Sequence, residues 1–154
     1  MMDEKERGRY DDLIISDLLY EPEMSTDMRA IYQRFARRVM WIDGSLVPGA
    51  FQMNISWYHH VPEKDPIFPA HSHPSCELIG FFGSDPEDPY ELGGELQVIL
   101  DGEAHTITRS SLIFVPPELP HGIRILRVDR PIFHFSAVTD STYNGGAYGA
   151  GGSV

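Results

Sequence analysis

Residues 71–77 read His-Ser-His-Pro-Ser-Cys-Glu, and residues 116–121 read Pro-Pro-Glu-Leu-Pro-His. Side chains alternate between the two faces of an extended strand, so His71 and His73 point to the same side. Pro74 interrupts the strand, and the direction of the Glu77 carboxylate therefore depends on the turn that follows. His121 must come from a different strand, which requires a sheet that is closed or folded over. Three imidazoles and one carboxylate suit Fe, Mn, Ni, Zn or Cu.

The ligand set predicted from these two segments is His71, His73, Glu77 and His121, holding one divalent transition metal ion per chain. In a six-coordinate ion, these four ligands leave about two positions for substrate, water or dioxygen. The pattern therefore predicts an open reaction site rather than a closed structural clamp.

The spacing His-x-His-x-x-x-Glu, followed by Pro-x-x-x-x-His, resembles the cupin superfamily of small β-barrels, in which these residues bind a metal. The resemblance extends over residues 50–138. Within it, residues 94–103 look like the glycine-turn hairpin of the family, and residues 112–116 like the strand that enters the second motif. It implies a mostly β, single-domain, jelly-roll-like barrel with an N-terminal helical extension.

The chain departs from the family pattern at three places but keeps all four ligand positions. Asp65 replaces a glycine before the first motif, and Ser110-Ser111 replaces Gly-Asp before the second-motif strand. Glu118 stands at the glycine position of the second motif. Its simplest interpretation is a loop acid, and the alternative is a partner of a ligand imidazole or an acid–base group.

Composition limits the kind of partner. The 154 residues fit one domain, and a net charge of -11 argues against binding to nucleic acid, whose phosphates require a basic surface. No apolar run approaches the roughly 20 residues that span a bilayer, so we expect no membrane partner. The single cysteine, Cys76, fits a reducing compartment. The expectation is a soluble cytoplasmic protein.

The chain divides into three predicted parts: residues 1–49 as an N-terminal extension with an amphipathic helix at 27–40, residues 50–138 as the barrel, and residues 139–154 as a flexible Gly-rich tail. Asp27 is a plausible cap for this helix. Apolar residues follow at helical spacing: Met28, Ile31, Tyr32, Phe35 and Val39. The segment also carries Arg29, Arg34, Arg37 and Arg38. These arginines predict either an anion or partner surface or a solvated helix face.

Three further features bear on the site. In residues 51–58, Met53, Ile55 and Trp57 share one strand face, and the polar residues between them share the other. His134 alternates with two phenylalanines and is predicted to face the interior, near the metal. The acidic, proline-rich segment 84–93 looks like an insertion and is either an exposed loop or a lid over the site.

The leading functional hypothesis is a metal enzyme acting on a small polar metabolite in the barrel, with oxygenase, isomerase and decarboxylase chemistry left open. Glu118 and His134 are its candidate catalytic residues. The alternatives are a non-catalytic, metal-assisted sensing protein and a metal-free barrel with core histidines. Because cupin barrels often pair through an outer sheet, and because the N-terminal apolar cluster offers further contact surface, we also predict a homodimer.

Overall fold

The computed structural model describes residues 7–64 and 69–140, so Asp65 and the greater part of the predicted tail lie outside the described residues. In chain order, the elements are a 3₁₀ turn (Asp11–Leu13), α1 (Thr26–Phe35), β1 (Ala36–Ile42), β2 (Gln52–Tyr58), β3 (Glu77–Phe82), β4 (Glu91–Leu100), β5 (Glu103–Arg109), β6 (Ser111–Val115), β7 (His121–Val128) and β8 (Ile132–Val138). Within the described ranges, no helix is long and apolar enough to cross a membrane.

The strands form two antiparallel sheets. The larger sheet has the order β1-β2-β8-β3-β6, and the smaller has the order β5-β4-β7. Buried residues from both sheets, among them Ile79, Val98 and Ile125, form one core with the end of α1. This is the mostly β, jelly-roll arrangement that the sequence predicts.

The N-terminal helix is shorter than predicted. It begins after Ser25, whose side-chain oxygen accepts a hydrogen bond from the Met28 amide at 3.1 Å, and it ends at Phe35. The prediction of helix as far as residue 40 is wrong for its last part, because Ala36–Ile42 forms β1 and pairs with β2. Val39 continues the helical spacing by coincidence, and the backbone groups there bond across the sheet instead. The sheet therefore begins at Ala36 rather than at residue 50.

The inner face of β2 is its polar face. Gln52, Asn54 and Ser56 are buried, whereas Met53, Ile55 and Trp57 on the opposite face are only half-buried. Hydrogen bonds make this burial possible. Two of them are Arg38 Nε to Asn54 Oδ1 at 2.7 Å and a bond between Tyr32 Oη and Ser56 Oγ at 2.6 Å. Burial is the main reason why the pKa of Tyr32 lies above its ordinary value.

Two turns have local sequence explanations. Asp101 and Gly102 both have positive φ, 48° and 82°, which suits the tight turn of the predicted hairpin between β4 and β5. The acidic insertion lies after β3, whose first residue is Glu77, so it leaves the barrel at the end opposite that carboxylate. The interpretation of this loop as a lid over the four predicted ligands is therefore wrong.

The buried bond between Tyr32 and Ser56 predicts a measurable loss of stability. In Tyr32→Phe, Ser56 Oγ keeps only a 3.4 Å bond to Asn54, and the free energy of unfolding should fall by about 1 to 2 kcal/mol. Chemical denaturation measures this change. Tyr90→Phe, at a ring that is 63% exposed, is the matched control and should unfold like the wild type. Adding Ser56→Ala to Tyr32→Phe should recover part of the loss; equal stability of Tyr32→Phe and wild type would contradict the assignment.

Candidate metal centre

Backbone hydrogen bonds bring the two histidine-containing segments together. The His71 amide donates to the His121 carbonyl at 3.0 Å, and the His121 amide donates to the His71 carbonyl at 2.9 Å. The Glu118 amide donates to the His73 carbonyl at 2.8 Å. Glu77 opens β3 and His121 opens β7, so the strands of both sheets begin at this end of the barrel.

The four predicted ligand residues form one cluster. One ligand atom from each of His71, His73, Glu77 and His121 lies within 4.8 Å of all the others. Glu77 Oε2 lies 2.8 Å from His121 Nε2 and 3.3 Å from His73 Nε2. Glu77 and His121 are buried, whereas His71 and His73 are half-buried. The cluster is therefore anchored on the barrel side and accessible from the side of the first motif.

The orientation of the imidazoles fits a metal ion. Each Nδ1 faces a backbone carbonyl oxygen: Pro69 O for His71 at 3.4 Å, Ser75 O for His73 at 2.7 Å and Leu119 O for His121 at 2.8 Å. A carbonyl only accepts, so each Nδ1 carries the hydrogen and a neutral ring then has its lone pair on Nε2. Lone pairs on Nε2 and on a carboxylate attract one another only through a cation between them.

Two further atoms also fit a cation. His71 Nε2 and Glu77 Oε1 are buried and have no hydrogen-bond partner among the described residues. Unsatisfied buried polar atoms are costly, and a metal ion would satisfy both. Glu77 Oε2 lies within hydrogen-bond distance of His121 Nε2 and His73 Nε2, whereas Glu77 Oε1 and His71 Nε2 have no such neighbour among the described residues.

The pKa values of three cluster residues reflect this arrangement. Burial by itself raises the pKa of Glu77, but hydrogen bonds from His121 and His73 outweigh burial, and the pKa lies below its ordinary value of 4.5. The hydrogen bond to Glu77 is the largest cause that raises the pKa of His73 above 6.5. Burial is the largest cause that lowers the pKa of His71, and the nearby His121 lowers it further.

The two candidate catalytic residues differ in position: Glu118 adjoins the cluster through its backbone bond to His73, and His134 lies deeper in the barrel. The side chain of Glu118 is exposed, and the residue has a φ of 66°, which explains why a glycine suits this position in the family pattern. His134 is buried, as predicted, but its ring stacks between Tyr58 and Phe81, each at 4.9 Å, and its Nδ1 faces the Gly80 carbonyl at 3.2 Å. It lies about 13 Å along β8 from the residue that pairs with Glu77. Their catalytic roles stay predictions.

Residues that the sequence reasoning did not single out line the barrel near Glu77. Gln52 and Glu77 both pair with Val138, so these three residues lie at the same level along the barrel axis. Ser136 lies on the next level inward, and its Oγ is buried without a hydrogen-bond partner among the described residues. The alternation that placed His134 on the inner face also places Ser136 there. That period-2 signal was sufficient to find it.

No protein-family model and no curated protein matches the sequence. Solved structures do match. Two are of oxalate oxidase, one in complex with the substrate analogue glycolate (TM-score 0.53) and one recombinant in complex with glycolate (TM-score 0.52); each is 17% identical to this chain, and each match covers 92% of this chain and 65% of the oxidase chain. A third is a cupin 2 domain-containing protein from Halorhodospira halophila, with a TM-score of 0.49 and 16% identity, and that match covers 71% of this chain and 67% of the other. The chain has the fold of the cupin superfamily. It spans 65% of the length of the oxalate oxidase chains.

The pKa shifts predict how the stability of the metal-free protein varies with pH. Because the pKa values of Glu77 and His71 are lowered, their contributions are complete above about 4.5 and 6.5 respectively and are lost on acidification. Because the pKa of His73 is raised, its contribution is complete below 6.5 and is lost as the pH rises through the folded-state value. Glu77→Gln should therefore make the free energy of unfolding vary less with pH, on both the acid limb and the alkaline limb of its profile.

Chemical denaturation with a chelator between about pH 3 and pH 9 measures this profile. Glu87→Gln, in the exposed loop after β3, is the matched control and should keep both limbs. A Glu77→Gln profile as steep as that of the wild type would show that the carboxylate is not coupled to the histidines.

Proposed function

We propose that this chain is a mononuclear metal-dependent enzyme acting on a small polar metabolite inside the barrel, with His71, His73, Glu77 and His121 as the metal ligands. The observation that carries the proposal is the convergence of imidazole nitrogens on the buried Glu77 carboxylate, while each Nδ1 faces a backbone carbonyl. That orientation presents Nε2 for coordination before any ion arrives.

The accessibility of the cluster supports a reaction site rather than a structural one. The side chain of His73 is 15% exposed and that of Glu77 is 1% exposed, so the cluster is open on one side only. Four protein ligands close a tetrahedral structural zinc site, whereas a six-coordinate ion held by the same four ligands keeps two positions for substrate or water. When bound, one Fe, Mn, Ni, Zn or Cu ion would supply Lewis-acid polarisation of a substrate oxygen or, for a redox metal, dioxygen activation.

The surrounding residues of the chain hold the substrate and exclude water. Val115 and Val138 pair with Glu77 on its two sides and are buried, so they shield the carboxylate and keep its charge effective. Gln52 lies on the same level, and Ser136 Oγ is available deeper in the barrel for a polar group of the substrate. Polar groups on this wall favour a hydroxy acid or a dicarboxylate over an apolar molecule.

Oxalate and glycolate are the first compounds to test, since the fold of this chain is similar to that of oxalate oxidase bound to glycolate. The assay should include oxygenase, isomerase and decarboxylase readouts. The non-catalytic alternative, metal-assisted binding or sensing of the same class of molecule, is separated from catalysis by the same assay.

The test compares His121→Ala with His105→Ala, an equal substitution at an exposed histidine on β5. Untagged wild type and His105→Ala should purify with about one transition-metal ion per chain, and His121→Ala should lose most of it because a buried ligand is missing. Elemental analysis measures the metal. Turnover of oxalate, glycolate and a panel of small acids, with and without oxygen, should follow the metal content.

Two outcomes count against the proposal in different ways. If the wild type carries no stoichiometric transition metal, even after reconstitution, the ligand assignment fails. If it carries metal and binds panel compounds but never consumes them, the binding alternative replaces the enzyme.

We also propose that the chain forms a homodimer through the outer face of β8, β3 and β6 in the larger sheet. Leu78, Leu112 and Phe114 on this face are 37%, 59% and 62% exposed. In register they adjoin Phe135 and Ala137 of β8, so the apolar surface is continuous across the strands. Large exposed apolar patches mark interaction surfaces. A face without paired charges suits a second copy of itself, which meets it around a two-fold axis.

Light scattering should give the wild type about twice the 17.4 kDa mass of one chain. Phe114→Glu places a charge in the apolar face and should give one-chain mass with an unchanged fold. Tyr90→Glu, at a residue of similar exposure outside this face, should stay dimeric. A wild-type mass of one chain would exclude the dimer.

A further inference from the structure

A second cavity, of about 650 Å³, lies at the end of the barrel opposite Glu77. Its polar lining comes from Glu21, Arg29, Arg37, Arg38, His59 and His60. His59 and His60 directly follow β2, whose first residue lies on the level of Glu77, so the two sites are separated by the length of that strand, about 20 Å. The cavity is therefore distinct from the candidate metal centre.

The lining of this cavity has an excess of positive charge, whereas the protein as a whole has a net negative charge. The chain has 12 lysines and arginines against 23 aspartates and glutamates. The cavity collects Arg29, Arg37 and Arg38 against the single carboxylate of Glu21. In a chain with a net charge of -11, a concave surface with excess positive charge attracts anions and has a local potential opposed to its surroundings.

One wall of the cavity already holds a carboxylate. Glu21 Oε1 accepts from Arg29 at 2.6 Å, and Glu21 Oε2 accepts from Arg38 at 3.0 Å. The Arg38 side chain is 2% exposed and is fixed by Asn54 and by the ring of Tyr32, 5.1 Å away. This wall is thus rigid, and its geometry suits carboxylate groups.

Three other side chains of this lining have no such partners among the described residues. Arg37 has no acidic partner among residues 7–64 and 69–140, and the side chains of His59 and His60 have no hydrogen bond within the same ranges. An adjoining cavity of about 570 Å³ shares Arg37 and His59 and adds Trp57. Leu18 borders both cavities. Arg37 therefore borders both cavities, with Leu18 and Trp57 supplying apolar surface beside it.

We propose that this cavity binds a small organic carboxylate, with the carboxylate on Arg37 and the histidines and an apolar body against Leu18 and Trp57. Its volume is that of a metabolite site. Leu18 and Trp57 give the apolar body of the ligand a surface to contact beside Arg37. This binding site is independent of the metal-dependent function proposed above.

The probe is 4-phenylbutyrate, which joins a carboxylate to an aromatic body. The chain has 2 tryptophans, so the indole N–H region of an NMR spectrum holds two resonances, and Trp57→Phe identifies the one from the cavity. Titration should shift the Trp57 resonance saturably, with a Kd of about 1 mM or tighter. The neutral 4-phenylbutanol has the same body and should bind about tenfold more weakly or not at all.

Arg37→Gln removes the proposed partner of the carboxylate and should weaken the binding of 4-phenylbutyrate by about tenfold. Arg37→Glu should abolish binding. Arg34→Gln makes the same charge change on the same segment, at an exposed arginine paired with Glu63 outside the cavity, and should bind like the wild type. Since Arg37 is exposed, these variants should fold, which circular dichroism checks.

His121→Ala should leave the titration unchanged, because the Trp57 resonance reports on the cavity, which lies about 20 Å along β2 from the metal centre. The proposal is overturned if the Trp57 resonance does not shift saturably, if 4-phenylbutanol binds equally well, or if Arg37→Gln keeps the wild-type affinity. Loss of binding in His121→Ala would also overturn it, since that result assigns the probe to the metal centre.

Discussion

The reciprocal backbone hydrogen bonds between His71 and His121 are the interaction on which the candidate metal centre depends. They join the segment before β3 to the start of β7, and with them one sheet to the other. Because side chains alternate along an extended chain, a slip of one residue in this bridge would turn an imidazole away from Glu77. The bond from the Glu118 amide to the His73 carbonyl holds the second motif against the first in the same way.

The polar interior and the apolar exterior of the larger sheet have one cause. A strand that places Asn54 and Ser56 inward must place Ile55 and Trp57 outward, since the period of a strand is two. The cost of burying the polar groups is offset by hydrogen bonds with Arg38 and Tyr32. The apolar residues that would fill an ordinary core lie instead on the outer face. The polar inner face and the apolar outer face are thus two consequences of the same alternation along the strand.

Much of the fold and the cluster of His71, His73, Glu77 and His121 could be predicted, because both depend on short-range patterns: ligand spacing, alternation and a glycine turn. The missed features depend on long-range pairing. Val39 fits a helix by spacing, and only the pairing of its neighbours Arg38 and Met40 with β2 makes the segment a strand. The acidic insertion could be placed only once the direction of β3 was known. An anion or partner surface at the arginines of residues 29–38 was one of two predicted alternatives, but the cavity beside Arg37 was not predicted, because Leu18 and His59 are distant in sequence.

The sequence separation of 44 between Glu77 and His121 has a consequence for how the protein matures. An unfolded chain offers the two halves of the cluster separately, and closing a loop of that length costs entropy before any ion is held by all four side chains. Coordination therefore follows the docking of the two sheets rather than guiding it, and an ion bound there ties distant segments as a reversible cross-link. A metal ion held there would be selected from the ions that the folded barrel meets, so the compartment in which the protein folds would influence which metal it carries.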